Sequence, residues 1–199
     1  GKYSNRRGAF KKENQTCREC QPGMYNNVEA ANHVSNCKEC EAGYYAKGWA
    51  RSKPCDGCDK GKFAPGSGST ECKLCPAGYE MKKNNSAYCD ICIPGRYMKE
   101  EGKPQCTKCE KNTNTYQQKV GQQECIKCPS GRITTTEGQS VCTPCGPGTK
   151  KLVVNQTNPE LFSCESCDAG KYSSKQNQAD CHICPSGFHQ DKEKMPSCI

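Results

Sequence analysis

The chain has 199 residues, 21 of them cysteine, and its 29 Lys and Arg outnumber 21 Asp and Glu for a formal net charge of +8. Hydrophobic residues reach 33%, and about a third of those are the cysteines, which leaves too little apolar side chain for the single core that a chain of this length ordinarily buries. That composition excludes a conventional globular enzyme and requires a chain held together by cross-links or metal.

The chain opens on Gly1-Lys2-Tyr3, which copies Gly170-Lys171-Tyr172. Residues 1–17 are therefore expected to be the end of a truncated repeat, and the whole chain a fragment of a longer protein. Ten CxxC pairs follow, at Cys17/Cys20, Cys37/Cys40, Cys55/Cys58, Cys72/Cys75, Cys89/Cys92, Cys106/Cys109, Cys125/Cys128, Cys142/Cys145, Cys164/Cys167 and Cys181/Cys184. Cys198 stands alone before Ile199. A period near seventeen residues marks residues 18–198 as a tandem array in which each repeat contacts mainly its neighbours.

Three residues after the second cysteine of each pair come Gly23, Gly43, Gly61, Gly78, Gly95, Asn112, Gly131, Gly148, Gly170 and Gly187. Glycine, with asparagine as its one substitute, points to a tight turn containing a left-handed residue. Two residues further on sits an aromatic in half the repeats: Tyr25, Tyr45, Phe63, Tyr97 and Tyr172. The other half carry Glu80, Asn114, Ile133, Lys150 and His189. A second turn signal lies four residues before a cysteine, at Gly68, Asn85, Gly102, Gly121, Gly138 and Asn177. No stretch has a helical period. The expected fold is a small disulfide-rich one, an elongated array of about ten loops of 17–22 residues, with short β-strands, turns and little or no helix.

Two pairings fit the spacing. In the first, the second cysteine of each pair bonds the first of the next: Cys20–Cys37, Cys40–Cys55, Cys58–Cys72, Cys75–Cys89, Cys92–Cys106, Cys109–Cys125, Cys128–Cys142, Cys145–Cys164, Cys167–Cys181 and Cys184–Cys198. Cys17 then pairs with a cysteine upstream of residue 1. The rival joins equivalent cysteines, Cys17–Cys37 with Cys20–Cys40 and onward, and should group the repeats in twos with alternating spacings. Four-cysteine zinc sites would require the same alternation. None is visible, which favours the successive loops and no metal. A disulfide closing a loop of about 15 residues stabilises by about 3 kcal/mol in the chain-entropy model, so a series of them can stand in for a core. Three sequons, at Asn14, Asn84 and Asn155, point to a secreted chain carrying N-linked glycans.

The string CxxC-P-x-G-x-Y resembles the cysteine-rich repeats of ephrin-receptor-like and tumour-necrosis-factor-receptor-like ectodomains. It is carried by Cys92-Ile93-Pro94-Gly95-Arg96-Tyr97, by Cys167-Asp168-Ala169-Gly170-Lys171-Tyr172, and by the Pro76, Pro129 and Pro185 variants after Cys75, Cys128 and Cys184. The resemblance covers nearly the whole chain. It implies the same successive small loops, and extends to long repetitive surface proteins of protists, including ciliate surface antigens and the proteins of flagellar hairs (mastigonemes). The repeat opening at Cys109 departs most from the pattern, with Asn112 for glycine and Asn114 for the aromatic.

No catalytic motif or cofactor signature is present, and ten tandem CxxC pairs read as structure rather than redox chemistry. His33, His182 and His189 fall in no ligand pattern. The basic cluster Arg6-Arg7 with Lys11-Lys12 reads as a solvated face, with contact to a polyanionic sugar as the alternative. Tyr44, Tyr45 and Trp49 are the best candidates for a contact surface. Leu152-Val153-Val154, the longest aliphatic run, is far too short to span a membrane. The sequence favours a non-enzymatic, glycosylated structural rod of an extracellular filament, hair or coat. Its expected partners are copies of itself or other matrix or filament proteins, with no nucleic acid. The alternative is a ligand-binding or adhesion ectodomain of a surface receptor or antigen.

Overall fold

Two extended residues follow each first turn, and two more lie between the cysteines of the next pair. The disulfide that spans them holds these short segments opposite each other, and the result is a two-stranded hairpin. The computed structural model describes residues 1–3, 18–28, 33–154 and 161–199, with the backbone alone for 152–154 and 161–162. These residues fall into two compact units, 1–91 with 100–106 and 92–99 with 107–199.

In the first unit the hairpins are β1 (Lys2–Tyr3) with β2 (Arg18–Glu19), β3 (Met24–Tyr25) with β4 (Lys38–Glu39), β5 (Tyr44–Tyr45) with β6 (Asp56–Gly57), β7 (Lys62–Phe63) with β8 (Lys73–Leu74), and β9 (Tyr79–Glu80) with β10 (Asp90–Ile91). In the second they are β11 (Arg96–Tyr97) with β12 (Thr107–Lys108), β13 (Thr115–Tyr116) with β14 (Ile126–Lys127), β15 (Arg132–Ile133) with β16 (Thr143–Pro144), β17 (Thr149–Val154) with β18 (Leu161–Ser166), and β19 (Lys171–Tyr172) with β20 (His182–Ile183). All are antiparallel, and the one helical segment among the described residues is a single 3-10 turn at Val34–Asn36. His33 caps that turn through its ring, and the Asn36 side chain accepts the His33 N–H.

The hairpins are too short to be stable alone; backbone hydrogen bonds between repeats join them. The second cysteine donates its N–H to the carbonyl of the preceding first-turn residue, as Cys58 does to Gly43 at 2.9 Å and Cys145 to Gly131 at 2.8 Å. The first-turn N–H commonly reaches into the next repeat, as Gly43 to Ala64 and Gly95 to Gln117, whereas the Asn114 N–H bonds the Lys111 carbonyl inside its own turn. Each second-turn N–H reaches back to the previous second cysteine, Gly68 to Cys40 and Gly138 to Cys109. The contacts extend one repeat further than expected. Gly61, at φ +77°, lies so close to Gly102 two repeats on that a methyl group in place of its hydrogen would sit 2.6 Å from the Gly102 carbonyl carbon.

Burial follows the same period. The second cysteines are almost fully enclosed, from Cys20 and Cys40 through Cys58, Cys75, Cys109, Cys145 and Cys167. Beside them lies the residue six places after each, Asn26, Ala46, Ala64, Met81 and Met98 in the first five full repeats. Gln117, Thr134, Ser173 and Gln190 take the corresponding places further along. The aromatics at Tyr25, Tyr45, Phe63, Tyr97 and Tyr172 are half-buried. The core is therefore a thread of sulfur and small or adaptable side chains, with no central apolar mass.

The repeat opening at Cys109 requires a correction. The left-handed residue there is Asn114, at φ +52°, not Asn112. Two additional residues lengthen the turn, so that Asn114 accepts the Cys128 N–H and Tyr116 takes the aromatic place. The insertion keeps the left-handed residue and the Cys128 bond, but the longer turn closes on itself, with the Asn114 N–H bonded to the Lys111 carbonyl and the Asn114 side chain joining Arg132 and Thr134 in the next repeat. β17 and β18 also exceed the two-residue pattern, with six paired residues each. Their loop, closed by Cys145–Cys164, has the widest cysteine separation of the measured bridges, 19 residues, and its β-branched and aromatic residues favour extending the hairpin.

Candidate functional site

The chemistry-bearing residues of this chain are overwhelmingly its cysteines. Bridges join Cys20–Cys37, Cys40–Cys55, Cys58–Cys72, Cys75–Cys89, Cys109–Cys125, Cys128–Cys142, Cys145–Cys164, Cys167–Cys181 and Cys184–Cys198. Their Cα–Cα distances run from 5.5 to 5.9 Å, within the unstrained range. Cys92 and Cys106 are disulfide-bonded as well. A cysteine in a bridge is neither a nucleophile nor a metal ligand, and no group of three or more His, Cys, Asp or Glu among the described residues could hold a metal ion. Cys17 lies outside the described residues.

The turn residues Gly23, Gly43, Gly61, Gly78, Gly95, Gly131, Gly148, Gly170 and Gly187 all sit at positive φ directly after a buried cysteine. Their place in the lattice makes them structural. The second-turn residues Gly68, Asn85, Gly102, Gly121, Gly138 and Asn177 share that conformation, as do Ala50 and Lys194, which carry no sequence signal for it. A further site was missed in the sequence, the buried position six residues after the second cysteine. Gln117 is the clearest case: its side-chain amide donates to the Glu124 carbonyl at 2.8 Å and accepts the Lys119 N–H at 3.0 Å. Gln190 repeats both bonds with Ser197 and Lys192. The clue is a recurring small or amide side chain just after the aromatic position, which an apolar-periodicity reading passes over.

Of the sequon asparagines, Asn84 is exposed beside the second turn at Asn85, whereas Asn14 and Asn155 lie outside the described residues, as do Arg6, Arg7, Lys11 and Lys12. Tyr44 and Tyr45 are half-buried on β5, and Trp49 is 60% exposed four residues beyond Tyr45. The histidines serve local structure. The His182 ring packs on Tyr172 at 5.8 Å between centroids and bonds Gln178 at 2.9 Å, while His189 lies 3.8 Å from Asp191.

Some charged groups pair on the surface. Lys171 donates to Asp168 at 2.9 Å, and that hydrogen bond together with the lysine charge holds the Asp168 carboxyl below its ordinary range. Glu80 is the exception in burial. It occupies the aromatic place, pairs with Lys82 at 2.9 Å and accepts the buried Cys106 N–H at 2.5 Å. The most pronounced surface clefts, one of about 460 Å³ beside Lys99 and Gln122–Glu124 and one of about 210 Å³ beside Tyr45 and Lys62, set no nucleophile against a base. No helix among the described residues is long and apolar enough to cross a membrane.

A family model described as tyrosine-protein kinase ephrin type A/B receptor-like matches residues 111–140 and 154–198. No curated protein matches the chain. Disulfides in this number and a receptor-like match point to an extracellular or surface setting. The described residues of both units carry cysteine-rich repeats with one pattern of hairpins and bridges, and over those two stretches, fewer than half of the residues, they are similar to the ephrin-receptor-like model.

Proposed function

We propose that this chain is a structural segment of an extracellular filament, cell-surface hair or coat: a disulfide-stapled, glycosylated rod that catalyses nothing. The observation that supports it most is the uniformity of the lattice. One set of backbone bonds, from the second cysteine, the first turn and the second turn, recurs from repeat to repeat in each unit. Such bonding needs no ligand and passes strain along the backbone. Its partners are copies of the same chain or other matrix and filament proteins, with N-linked glycans on Asn14, Asn84 and Asn155 keeping the surface hydrated. Negative-stain imaging of the isolated protein tests this. Regular polymers are expected. Monodisperse particles that bind one soluble protein tightly would overturn it.

A second reading, a ligand-binding or adhesion ectodomain, draws on the exposed Trp49, since a solvent-facing tryptophan on a stapled loop is an efficient anchor for a protein partner. Trp49→Ala separates the two. Loss of a cell-surface binding activity with polymer formation intact supports the ectodomain.

A further inference from the structure

In a two-stranded hairpin, residues opposed in register share a face. Across three consecutive hairpins of the second unit, one such face is basic. Arg96 is opposed to Lys108, Thr115 to Lys127, and Arg132 to Pro144. The hairpins are joined directly: the Gly95 N–H bonds the Gln117 carbonyl, and the Asn114 side chain donates to the Arg132 carbonyl and accepts the Thr134 N–H, which sets these residues on successive linked hairpins. Lys108 bridges two hairpins, with its Cγ and Cδ carbons 3.6 Å from where a side chain on Gly138 would begin, in the loop that carries Arg132. At the far end Lys151 on β17 adds a further cation. Its burial, and then the charge of Lys127 nearby, hold its ammonium below the ordinary lysine range.

The carboxylates of these three hairpins, Glu100, Glu101, Glu110, Glu124 and Glu137, stand in turns and loops, off the strands, and Glu100 pairs with Lys103. Lys108 and Lys127 are exposed, and among the described residues neither they nor Arg132 pairs with a carboxylate. Like charges opposed in register, as in Arg96 and Lys108, destabilise a hairpin. The corresponding positions of the first unit are mixed, with Lys2 opposite Glu19, Met24 opposite Glu39, Tyr44 opposite Gly57, Lys62 opposite Leu74 and Tyr79 opposite Ile91. A basic strip is therefore not a requirement of the repeat.

We propose that the strand face bearing Lys108, Lys127 and Arg132, flanked by Arg96 and Lys151, is a binding strip for a sulfated polysaccharide. The occupant follows from charge complementarity. Cations spaced along successive hairpins match a linear polymer with closely spaced anions, and the extracellular setting makes a sulfated glycan the relevant one. The idea rests on that setting but not on filament formation.

The test is heparin binding by the whole chain at about 0.15 M NaCl, in wild type and in two variants of equal charge change. Lys108→Gln with Lys127→Gln alters the strip. Lys119→Gln with Lys175→Gln alters exposed loop lysines and leaves the strip intact. The strip variant should bind about tenfold more weakly, with the slope of log affinity against log salt falling by about two, since each lost contact releases one fewer counterion. The loop variant should change less than about threefold. Equal losses in both variants, no binding by wild type, or hyaluronate binding as tightly as heparin would each overturn the proposal. Amide exchange indistinguishable from wild type shows that the strip variant is folded.

Discussion

Replacing Gly61 by alanine attacks the lattice at one of its close contacts between repeats. Two penalties combine. The residue sits at φ +77°, where a Cβ costs about 1–2 kcal/mol, partly offset by about 0.4–1 kcal/mol of lost freedom in the unfolded chain. The new methyl would also lie 2.6 Å from the Gly102 carbonyl carbon, which is backbone and cannot swing away. Overpacking of this kind adds about 1–3 kcal/mol. Moving Gly102 aside further strains its 2.8 Å bond to the Cys75 carbonyl. The total is about 2–4 kcal/mol. Gly48 supplies the control, because it has φ +85° and nothing within 4 Å of an added methyl, so Gly48→Ala should cost only about 1 kcal/mol. The assay is native-state amide exchange with the disulfides intact, read at Gly61, Ala64 and Gly102. Gly61→Ala should raise local opening in the two repeats beyond it by about two orders of magnitude relative to Gly48→Ala. Equal effects of the two substitutions would show that the glycine is needed only for its turn, and that contact across two repeats contributes nothing.

Three other outcomes follow from the same geometry. Glu80→Ala should destabilise by about 1–3 kcal/mol, because the buried Cys106 N–H loses its acceptor, whereas Glu80→Gln retains most of the stability; denaturant melts of the two variants distinguish them. A chelator should leave thermal unfolding unchanged and a strong thiol reductant should abolish the transition, whereas a melt lowered by EDTA would mean that metal holds part of the array. On protein secreted from a eukaryotic host, Asn84→Gln should remove one glycan-sized increment of mass that an N-glycosidase also removes; an unchanged mass would leave the exposed sequon at Asn84 unoccupied.

Much of the fold was legible because covalent chemistry repeats in register with the backbone. The cysteine period marks the loops, and the glycine three residues after each pair marks a turn that only a residue free to take positive φ can make. The residues that hold one repeat to the next were not legible. Ala46, Met81, Gln117 and Ser173 share a buried position but no side-chain character, because the position uses backbone groups on both sides and asks of the side chain only that it fit or satisfy its own polar atoms. The contact of Gly61 with Gly102 was hidden for a related reason: the glycine already had a sufficient explanation in its turn. Asn112 was mistaken for the turn residue because alignment on the cysteine assumed a fixed offset. A two-residue insertion keeps the left-handed residue at Asn114 but passes its link to the next repeat from backbone to side chain. The interaction strip escaped notice because its lysines and arginines lie far apart in sequence and are brought together only by strand register. Of the contact residues chosen by chemistry alone, Tyr44 and Tyr45 are half-buried on one strand and Trp49 stands exposed four residues on.

The central claim is that the chain is a series of consecutive loops, each closed by its own bridge. Mapping disulfides by mass spectrometry on unreduced protein tests it directly. Trypsin can cut between the cysteines of several pairs, after Arg18, Lys38 and Lys73, so neighbouring loops can be told apart. The account predicts linked peptides for Cys20–Cys37, Cys40–Cys55 and onward to Cys184–Cys198. Peptides linking Cys17 to Cys37 or Cys20 to Cys40 would contradict it.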